Sequence, residues 1–178
     1  MDRSEEVIDE MMESRGYDLD YVNDNVSTYS RNAIQLQVFR HPNPKFGTND
    51  VQYYEKQIKN SDITKCIIIL QEETPSSAAL EYIKNLKVQR INIEWFLTKE
   101  LQYNLTKNRL VPFHEILTME QKRNIISSFS TTPQLMPKIL STDPVMRYLG
   151  AVSGQLVRIT RKSEVMKGED ALSYRIVV

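Results

Sequence analysis

Two apolar runs separated by an amphipathic stretch limit the folds that this chain can adopt. The run CIIIL (66–70) is bounded by polar residues, as expected for a buried β-strand. Pro75 and the serines after it suit the start of a helix. The apolar residues of that helix recur at helical spacing: Ala79, Leu80, Ile83 and Leu86. The run VQRINIEWF (88–96) has Ile91, Ile93 and Trp95 on one strand face, so strand, helix and strand predict a small α/β unit with helices against a sheet.

Further elements are predicted in the first 60 residues. Residues 3–15 carry apolar side chains at helical spacing, and Gly16 suits the end of that helix. The stretch AIQLQVFR (33–40) alternates apolar and polar residues as a strand does. Its Pro, Asn and Gly content predicts a loop for HPNPKFGTND (41–50), and YYEKQIKN (53–60) is predicted to be helical.

The last 71 residues read as a separate α+β module with short helices and a small sheet. Pro112 interrupts the chain, and Thr118 with Gln121 forms a capping box that opens a helix reaching about Phe129. The segment TTPQLMPKIL (131–140) reads as a connector with one short helix. Two strands are predicted, QLVRITR (155–161) and SYRIVV (173–178), joined by a polar loop. We therefore expect two domains, 1–107 and 108–178.

The decapeptide STDPVMRYLG (141–150) carries several local structural signals at once. Asp143 is a good N-cap, Pro144 suits the first helical position, and Gly150 suits the left-handed residue that closes a helix. One and a half turns are too short to be stable alone. We expect Val145, Tyr148 and Leu149 to face the strands, which makes the segment a fixed corner. Arg147 is either an ion-pair partner of Asp143 or a contact residue for another protein.

The end of the sequence leaves two interpretations open. The strand that closes with Val178 either lies inside its own sheet or presents an edge that packs on a larger partner.

Charge and cysteine content exclude several classes of protein. Residues 1–109 hold 14 Lys/Arg and 17 Asp/Glu, and residues 110–178 hold 9 and 6, which is not the basic footprint of an autonomous DNA-binding protein. The single cysteine, Cys66, excludes an internal disulfide and fits a reducing compartment. The acidic amino terminus argues against a signal or transit peptide, and no apolar run approaches the length of a membrane span. We expect an intracellular protein with no membrane partner.

Motifs for catalysis and cofactor binding are missing from the sequence. The two histidines, His41 and His114, lie far apart, so no metal site is predicted. There is no Gly-x-Ser-x-Gly elbow, no phosphate-binding loop and no dinucleotide fingerprint. Glu94 and Lys99 are the nearest approach to a nuclease site, and their spacing is not compact. We expect no catalytic residue and no cofactor bound by this chain.

The second half of the chain nevertheless resembles a known family. The blocks NRLVPFHEILTMEQ, STDPVMRYLG, GQLVRITRKSE and YRIVV occur in the order found in the fifth subunit shared by eukaryotic nuclear RNA polymerases. The same blocks resemble the small archaeal RNA polymerase subunit that corresponds to residues 108–178 alone. Asn108 stands where the family has a histidine. In the first half, MMESRGYDL and IIILQEETPSSA are similar to two stretches of the eukaryotic protein's jaw domain.

The resemblance implies a non-catalytic subunit of DNA-directed RNA polymerase. Its C-terminal domain would dock on the largest subunit, and its jaw would line the channel where downstream duplex DNA enters. The matching loop Thr74-Pro75-Ser76-Ser77 is then the DNA-contact candidate, although these residues also suit a purely structural helix cap. The docking candidates are the matching motif positions His114, Asp143, Pro144, Arg147, Tyr148, Gly150, Tyr174 and Arg175.

Two other functions are also compatible with the sequence. One is a stand-alone nuclease-like DNA enzyme, and the other is a transcription regulator that reuses the docking domain. As a polymerase subunit, the protein is expected in the nucleus of a cellular eukaryote, or in the viral factory or virion of a large DNA virus.

Overall fold

The computed structural model describes residues 3–61, 63–162 and 170–178. Its chain divides into two compact units, Met1–Tyr103 and Asn104–Val178. We call them the N-terminal unit and the C-terminal unit. The sequence pattern had suggested a division after residue 107.

The N-terminal unit is a five-stranded mixed sheet with helices on both faces. Its elements, in chain order, are α1 (Ser4–Ser14), β1 (Asp18–Asn23), β2 (Val26–Arg31), β3 (Ile34–Arg40), α2 (Thr48–Asn60), β4 (Lys65–Leu70), α3 (Ser77–Val88) and β5 (Asn92–Leu97). The strand order is β1-β2-β3-β4-β5. The first three strands pair antiparallel, and β3, β4 and β5 pair parallel through the helical crossovers. The predicted α/β unit is confirmed, together with its central strand, helix and strand.

Strand β4 supplies the centre of the core. Because successive side chains of a strand point to opposite faces, Cys66, Ile68 and Leu70 pack in one cluster with residues of α2 and α3. Ile67 and Ile69 are buried on the other face. That face is joined to α1, since Tyr29 donates a hydrogen bond to Asp9 over 2.7 Å. At about 25 cal/mol per Å² of apolar surface removed from water, burial on both faces is the main force that holds this unit together.

The strands β1 and β2 were not anticipated from the sequence. The turn that joins β2 to β3 has Asn32 at φ 49° and Ala33 at φ 64°, so both turn residues are left-handed. This is the geometry that favours Asn-Gly in a two-residue hairpin. With alanine in the second position the usual hairpin signal is lost. The predicted start of the next strand at residue 88 was also wrong, because α3 continues to Val88 and β5 begins at Asn92.

The C-terminal unit is a four-stranded sheet with strand order β6-β8-β9-β7. Its elements are β6 (Phe113–Ile116), α4 (Met119–Ser128), β7 (Lys138–Ile139), α5 (Pro144–Tyr148), β8 (Leu156–Lys162) and β9 (Asp170–Val177). The predicted α+β class is confirmed, as is the Thr118–Gln121 capping box, whose two hydrogen bonds measure 2.8 and 3.2 Å.

One expectation for this unit was wrong, and another lies largely outside the described residues. The connector 131–140 holds no helix, and instead contributes β7, which pairs parallel with β9. The carboxyl end of β9, at Ile176 and Val177, lies between β8 and β7 and so agrees with the interpretation that the final strand lies inside its own sheet, whereas residues 170–175 pair with β8 alone within the described part of the chain. The predicted polar loop falls largely on 163–169, outside the described residues, and residues 170–172 belong to β9.

Both faces of this sheet are covered at one end. Val157, Ile159 and Val177 form a cluster with Val145 and Met146 of α5. On the other face, Leu156 and Ile176 form a second cluster, against which Ile125 of α4 packs. We call these the α5 face and the α4 face of the C-terminal sheet.

Candidate functional site

The segment 141–150 folds as its local signals predict. Asp143 Oδ1 accepts hydrogen bonds from the backbone N–H groups of Val145 and Met146, at 2.9 and 3.4 Å. Pro144 occupies the first turn of α5, where no N–H is needed. Gly150 has φ 65°, and its N–H and that of Ala151 bond to the carbonyls of Arg147 and Met146. These two bonds form a Schellman closure, so the short helix is fixed at both ends.

Only part of α5 is accessible. Tyr148 is 1% exposed and Val145 is buried in the α5-face cluster, so these side chains hold the helix on the sheet. Met146, which the sequence pattern did not select, is fully buried beside them. Pro144 is exposed and Arg147 is half-buried. The surface that α5 offers to another molecule therefore consists of Pro144 and Arg147, and Tyr148 acts as an anchor inside the unit.

The remaining docking candidates lie on the strands. His114 pairs with Ile159 of the α5-face cluster, and its Nδ1 lies 2.7 Å from the carbonyl oxygen of Pro112. Arg175 pairs with Val157 of the same cluster, and its Nη1 donates to the Lys138 carbonyl over 3.1 Å. By strand alternation, both residues are on the α5 face.

Tyr174 is on the opposite face of the sheet. Its ring contacts Phe129 edge to face, with centroids 5.8 Å apart. The predicted docking residues are thus divided by the sheet, with Tyr174 on the α4 face.

An ion pair that the sequence did not reveal lies beside Tyr174. Glu115, Arg158 and Tyr174 are register partners across β6, β8 and β9. Arg158 Nε donates to Glu115 Oε2 over 3.1 Å. The hydrogen bond to Glu115 and the attraction of its charge raise the pKa of Arg158. Opposite charges in strands far apart in sequence give no local pattern, so only the register brings them together.

Asn108 has a local structural role in the turn that leads into β6. Its Oδ1 accepts from the N–H of Leu110 over 3.0 Å, and its carbonyl accepts from Val111 over 2.9 Å. A short polar side chain that bonds two residues ahead is an Asx turn. This asparagine therefore supplies the geometry of the turn before β6.

The loop 74–77 connects the carboxyl end of β4 to α3. Ser76 is the N-cap of α3, and its hydroxyl accepts from the N–H of Ala79 over 3.2 Å. Pro75 is buried, whereas Thr74 and Ser77 are exposed. The expectation of a helix cap is thus met by Ser76. The hydroxyls of Thr74 and Ser77 and the first turn of α3 remain at the surface, where they can meet an anion.

The neighbouring loop 41–47 holds this loop in place. The N–H of Ser76 donates to the Phe46 carbonyl over 3.1 Å, and Gln71 Nε2 donates to the Pro42 carbonyl over 2.9 Å. His41 is buried in the same loop, with Nδ1 3.0 Å from the Tyr54 hydroxyl and Nε2 3.1 Å from the Lys45 carbonyl. His41 is therefore a structural residue of the loop and is held by two polar neighbours.

Glu94 and Cys66, two residues with side chains capable of chemistry, have structural roles in this fold. Glu94 Oε2 accepts from Arg15 Nη2 over 2.8 Å, and their side chains are 27% and 5% exposed. This pair ties the end of α1 to β5, so the carboxylate that a nuclease site would need is already engaged. Cys66 is buried, and burial raises the pKa of its thiol, which keeps the sulfur protonated and unreactive.

Within residues 3–61, 63–162 and 170–178, no three His, Cys, Asp or Glu side chains cluster as a metal site would require. None of the helices in these ranges combines the length and the apolar character needed to cross a bilayer.

Comparison with known proteins identifies the C-terminal unit. Residues 103–177 match the model of the RNA polymerase Rpb5 C-terminal domain, so this part of the chain defines an RNA polymerase subunit domain. Subunit RPABC1 of DNA-directed RNA polymerases I, II, and III from Caenorhabditis elegans is 33% identical over 147 residues, which cover 82% of this chain and 67% of that protein. The corresponding Dictyostelium discoideum protein is 30% identical over 143 residues, covering 80% of this chain and 72% of the relative.

An archaeal relative corresponds to the C-terminal unit alone. DNA-directed RNA polymerase subunit Rpo5 of Methanothermobacter thermautotrophicus is 35% identical over 77 residues, covering 43% of this chain and 97% of the relative. The chain belongs to the RPABC1/Rpb5 family of DNA-directed RNA polymerase subunits. It is homologous to a non-catalytic subunit, and the resemblance seen in the sequence is confirmed.

Proposed function

We propose that this protein docks through its C-terminal unit on the largest subunit of a multisubunit RNA polymerase and lines the downstream DNA channel with its N-terminal unit. The observation that carries the proposal is the match of residues 103–177 to the Rpb5 C-terminal domain, together with an archaeal relative of that length. A domain that exists as a separate polymerase subunit is well suited to be the part that assembles.

In this proposal, the protein docks through α5 and through strand residues on the same face of the C-terminal sheet. Pro144 and Arg147 project from a helix whose two ends are capped, so little conformational freedom is lost when a partner binds them. Arginine is favoured at protein interfaces because its planar head makes several hydrogen bonds. His114 and Arg175 extend this face along β6 and β9. Tyr148 contributes by holding α5 in position.

The loop Thr74–Ser77 is the DNA contact in this proposal. Exposed hydroxyls and the free N–H groups at the start of a twelve-residue helix bind phosphate oxygens without reading the base sequence. A subunit in a DNA channel must accept every sequence that passes, and contacts to the backbone alone meet that need. The hydrogen bonds from Ser76 N–H and from Gln71 to loop 41–47 hold the backbone that carries these hydroxyls.

Phosphodiester chemistry then belongs to Mg²⁺ held by the large subunits. We expect the purified chain neither to polymerise nucleotides nor to bind duplex DNA with submicromolar affinity at 150 mM salt. Its location follows that of its polymerase, in the nucleus of a cellular host or in the factory or virion of a large DNA virus.

Affinity purification of the tagged full-length chain tests the docking role. Recovery of the two largest polymerase subunits is expected, and Arg147→Glu should reduce it at least about tenfold, because one buried hot-spot charge contributes about 1.4 kcal/mol or more. The matched control is Arg123→Glu, which reverses an exposed arginine of α4. Recovery that is unchanged by Arg147→Glu and lost with Arg123→Glu would move the docking surface to the α4 face.

Loss of recovery counts only if the variant is folded. Tyr148→Ala is unsuitable for this test because the side chain is buried and its removal would leave a cavity. Unchanged circular dichroism and thermal midpoint of Arg147→Glu are therefore part of the measurement.

A further inference from the structure

Strand β1 forms an open edge of the N-terminal sheet. In the part of the chain that the structure describes, β1 pairs only with β2, and the strand order places it at the end of the sheet. One row of its backbone N–H and C=O groups is therefore not paired with another strand. Such a row is a template on which a further strand can form hydrogen bonds.

The side chains of β1 are those of a contact surface. All six residues are exposed, including Leu19, Tyr21 and Val22 at 48%, 55% and 59%. Exposed edges are commonly protected by lysine or other charged residues, by proline or by bulges. Strand β1 has no lysine or proline, but it carries Asp18 and Asp20. A register irregularity between Leu19 and Tyr21 breaks the edge into two short sections. An added strand would cover apolar side chains that are about half exposed in this structure.

The charge of this edge selects the kind of strand that can be added. Residues 17–30 include Asp18, Asp20 and Asp24 and contain no lysine or arginine. The next basic residue, Arg31, is engaged within the unit, since its Nη1 donates to the Arg15 carbonyl over 2.7 Å and its guanidinium lies 4.8 Å from the Tyr17 ring centroid. Pairing of two copies of β1 would bring like charges together, which is unfavourable. A lysine- or arginine-bearing strand meets opposite charge.

Beside the irregularity there is space for a side chain. An open cavity of about 580 Å³ extends from β1 and β2 across the start of β3 to the residues just before β4, and Asp20 is on its lining with Gln35 and Thr64. Asp20 is held there by a hydrogen bond of 2.7 Å from the Ser30 hydroxyl. A basic side chain of an added strand would find this carboxylate at a fixed position.

We propose that the β1 edge binds an extended, lysine- or arginine-bearing segment of another protein by β-strand addition. The backbone of the segment pairs with the open edge, its apolar side chains cover Leu19, Tyr21 and Val22, and its basic side chains face Asp18, Asp20 and Asp24. The residues of this surface are not those of the loop 74–77 or of α5, so each of the three can be tested by its own substitutions.

The test uses the full chain and a defined probe. The probe is a capped six-residue peptide that alternates lysine and valine, titrated into ¹⁵N-labelled protein at low salt. We expect saturable shifts and slowed hydrogen exchange at the amides of 18–23. The double variant Asp18→Asn with Asp24→Asn should weaken binding about fivefold, as expected for two exposed charge pairs. Asn keeps the left-handed backbone that Asp24 adopts at φ 46°.

Three controls separate strand addition from general attraction of charges. A lysine–valine peptide with N-methyl groups on alternate amides keeps its charge and loses its strand hydrogen bonds, so it should bind at least about tenfold more weakly. A glutamate–valine peptide should not bind. The variant Glu81→Gln with Glu120→Gln, which removes two exposed acids elsewhere, should bind as the wild type does.

Several outcomes of these binding experiments would contradict the proposed strand addition. Equal binding of the N-methylated or the glutamate peptide would overturn the proposal, as would shifts confined to residues outside β1. Concentration-dependent dimerisation through β1 without peptide binding would also overturn it, because the edge would then serve a second copy of this chain.

Discussion

Helices α4 and α5 of the C-terminal unit and helix α1 of the N-terminal unit are fixed by contacts of different range. In the C-terminal unit, α5 is specified by residues within the decapeptide 141–150, and α4 by a capping box of two residues three apart. In the N-terminal unit, α1 is tied to strands far along the chain, by Asp9 to Tyr29 and by Arg15 to Glu94. Local signals at helix ends can be recognised in the sequence and support a family resemblance. Contacts between residues that are far apart in sequence stabilise the fold but leave no local sequence pattern.

The largest expected effect comes from the N-terminal core. Ile68 is fully buried at the centre of β4, so Ile68→Ala should lower the free energy of unfolding of that unit by about 4 kcal/mol. Trp95, the single tryptophan, packs against the same cluster and reports this unit by fluorescence during urea unfolding. The control Val88→Ala changes an exposed side chain and should have little effect.

Ile68→Ala also tests whether the two units unfold independently. If resonances of residues 104–178 are lost at the lower urea concentration together with the Trp95 signal, the two units unfold as one. Retention of those resonances would agree with separate cores.

The second effect concerns the distant ion pair. Glu94→Gln removes the Glu94 charge that pairs with the Arg15 guanidinium, whose side chain is 5% exposed, and should cost about 3 kcal/mol. Adding Arg15→Met to this variant should restore part of the loss, because the buried charge is then removed. A urea midpoint equal to that of the wild type for Glu94→Gln would mean that distant ionic contacts do not hold α1.

Two N-cap substitutions, one in each unit, compare how far the loss of a helix cap spreads. Asp143→Ala and Ser76→Ala each remove the side-chain acceptor at a helix start and should each cost about 1 kcal/mol. The two substitutions should differ in how much of each helix opens. Helix α5 has five residues and should open as a whole, whereas α3 has twelve residues and a packed face that keeps most of it closed. Hydrogen exchange should therefore rise throughout 144–150 in the first variant and only at the first turn of α3 in the second. Equal opening of both helices would contradict the proposed difference.

The smallest expected effect is that of an ion pair between residues four apart on α2, in which the Lys59 side chain is 53% exposed and that of Glu55 is 12% exposed. The hydrogen bond from Lys59 lowers the pKa of Glu55 from 4.5, and one from Tyr82 adds to this. Glu55→Gln should cost about 0.3–0.5 kcal/mol at pH 7. A carboxylate whose folded pKa is lowered stabilises the fold above its unfolded pKa and loses that contribution as pH falls through the folded pKa. The urea midpoints of variant and wild type should therefore converge below about pH 4.5, and Glu81→Gln should show no such convergence.

Local patterns predicted much of the fold and part of the candidate site. Gly150 closes α5 in the left-handed conformation expected of it, and Thr118 caps α4 with Gln121. The burial of Val145 and Tyr148 followed from helical spacing. These features depend on residues within one turn of each other, so the sequence contains all the information they need.

The features that were missed depend on tertiary pairing. The hairpin of β1 and β2 has Asp, Asn and Ser in its strands and an alanine in a left-handed turn, so propensity argued against it. The position of Tyr174 on the α4 face could not be read from the sequence, because the face of a strand residue depends on register and packing. The Glu115–Arg158 pair has the same origin.

One measurement tests most directly whether assembly and DNA contact are divided between the units. A photoreactive amino acid is placed at position 77 in the loop before α3, or at position 144 in α5, and each full-length chain is incorporated into its polymerase on a DNA template. We predict that position 77 crosslinks to downstream duplex DNA and that position 144 crosslinks to the largest subunit. Crosslinking of position 144 to DNA, or of position 77 to protein alone, would contradict this division of roles.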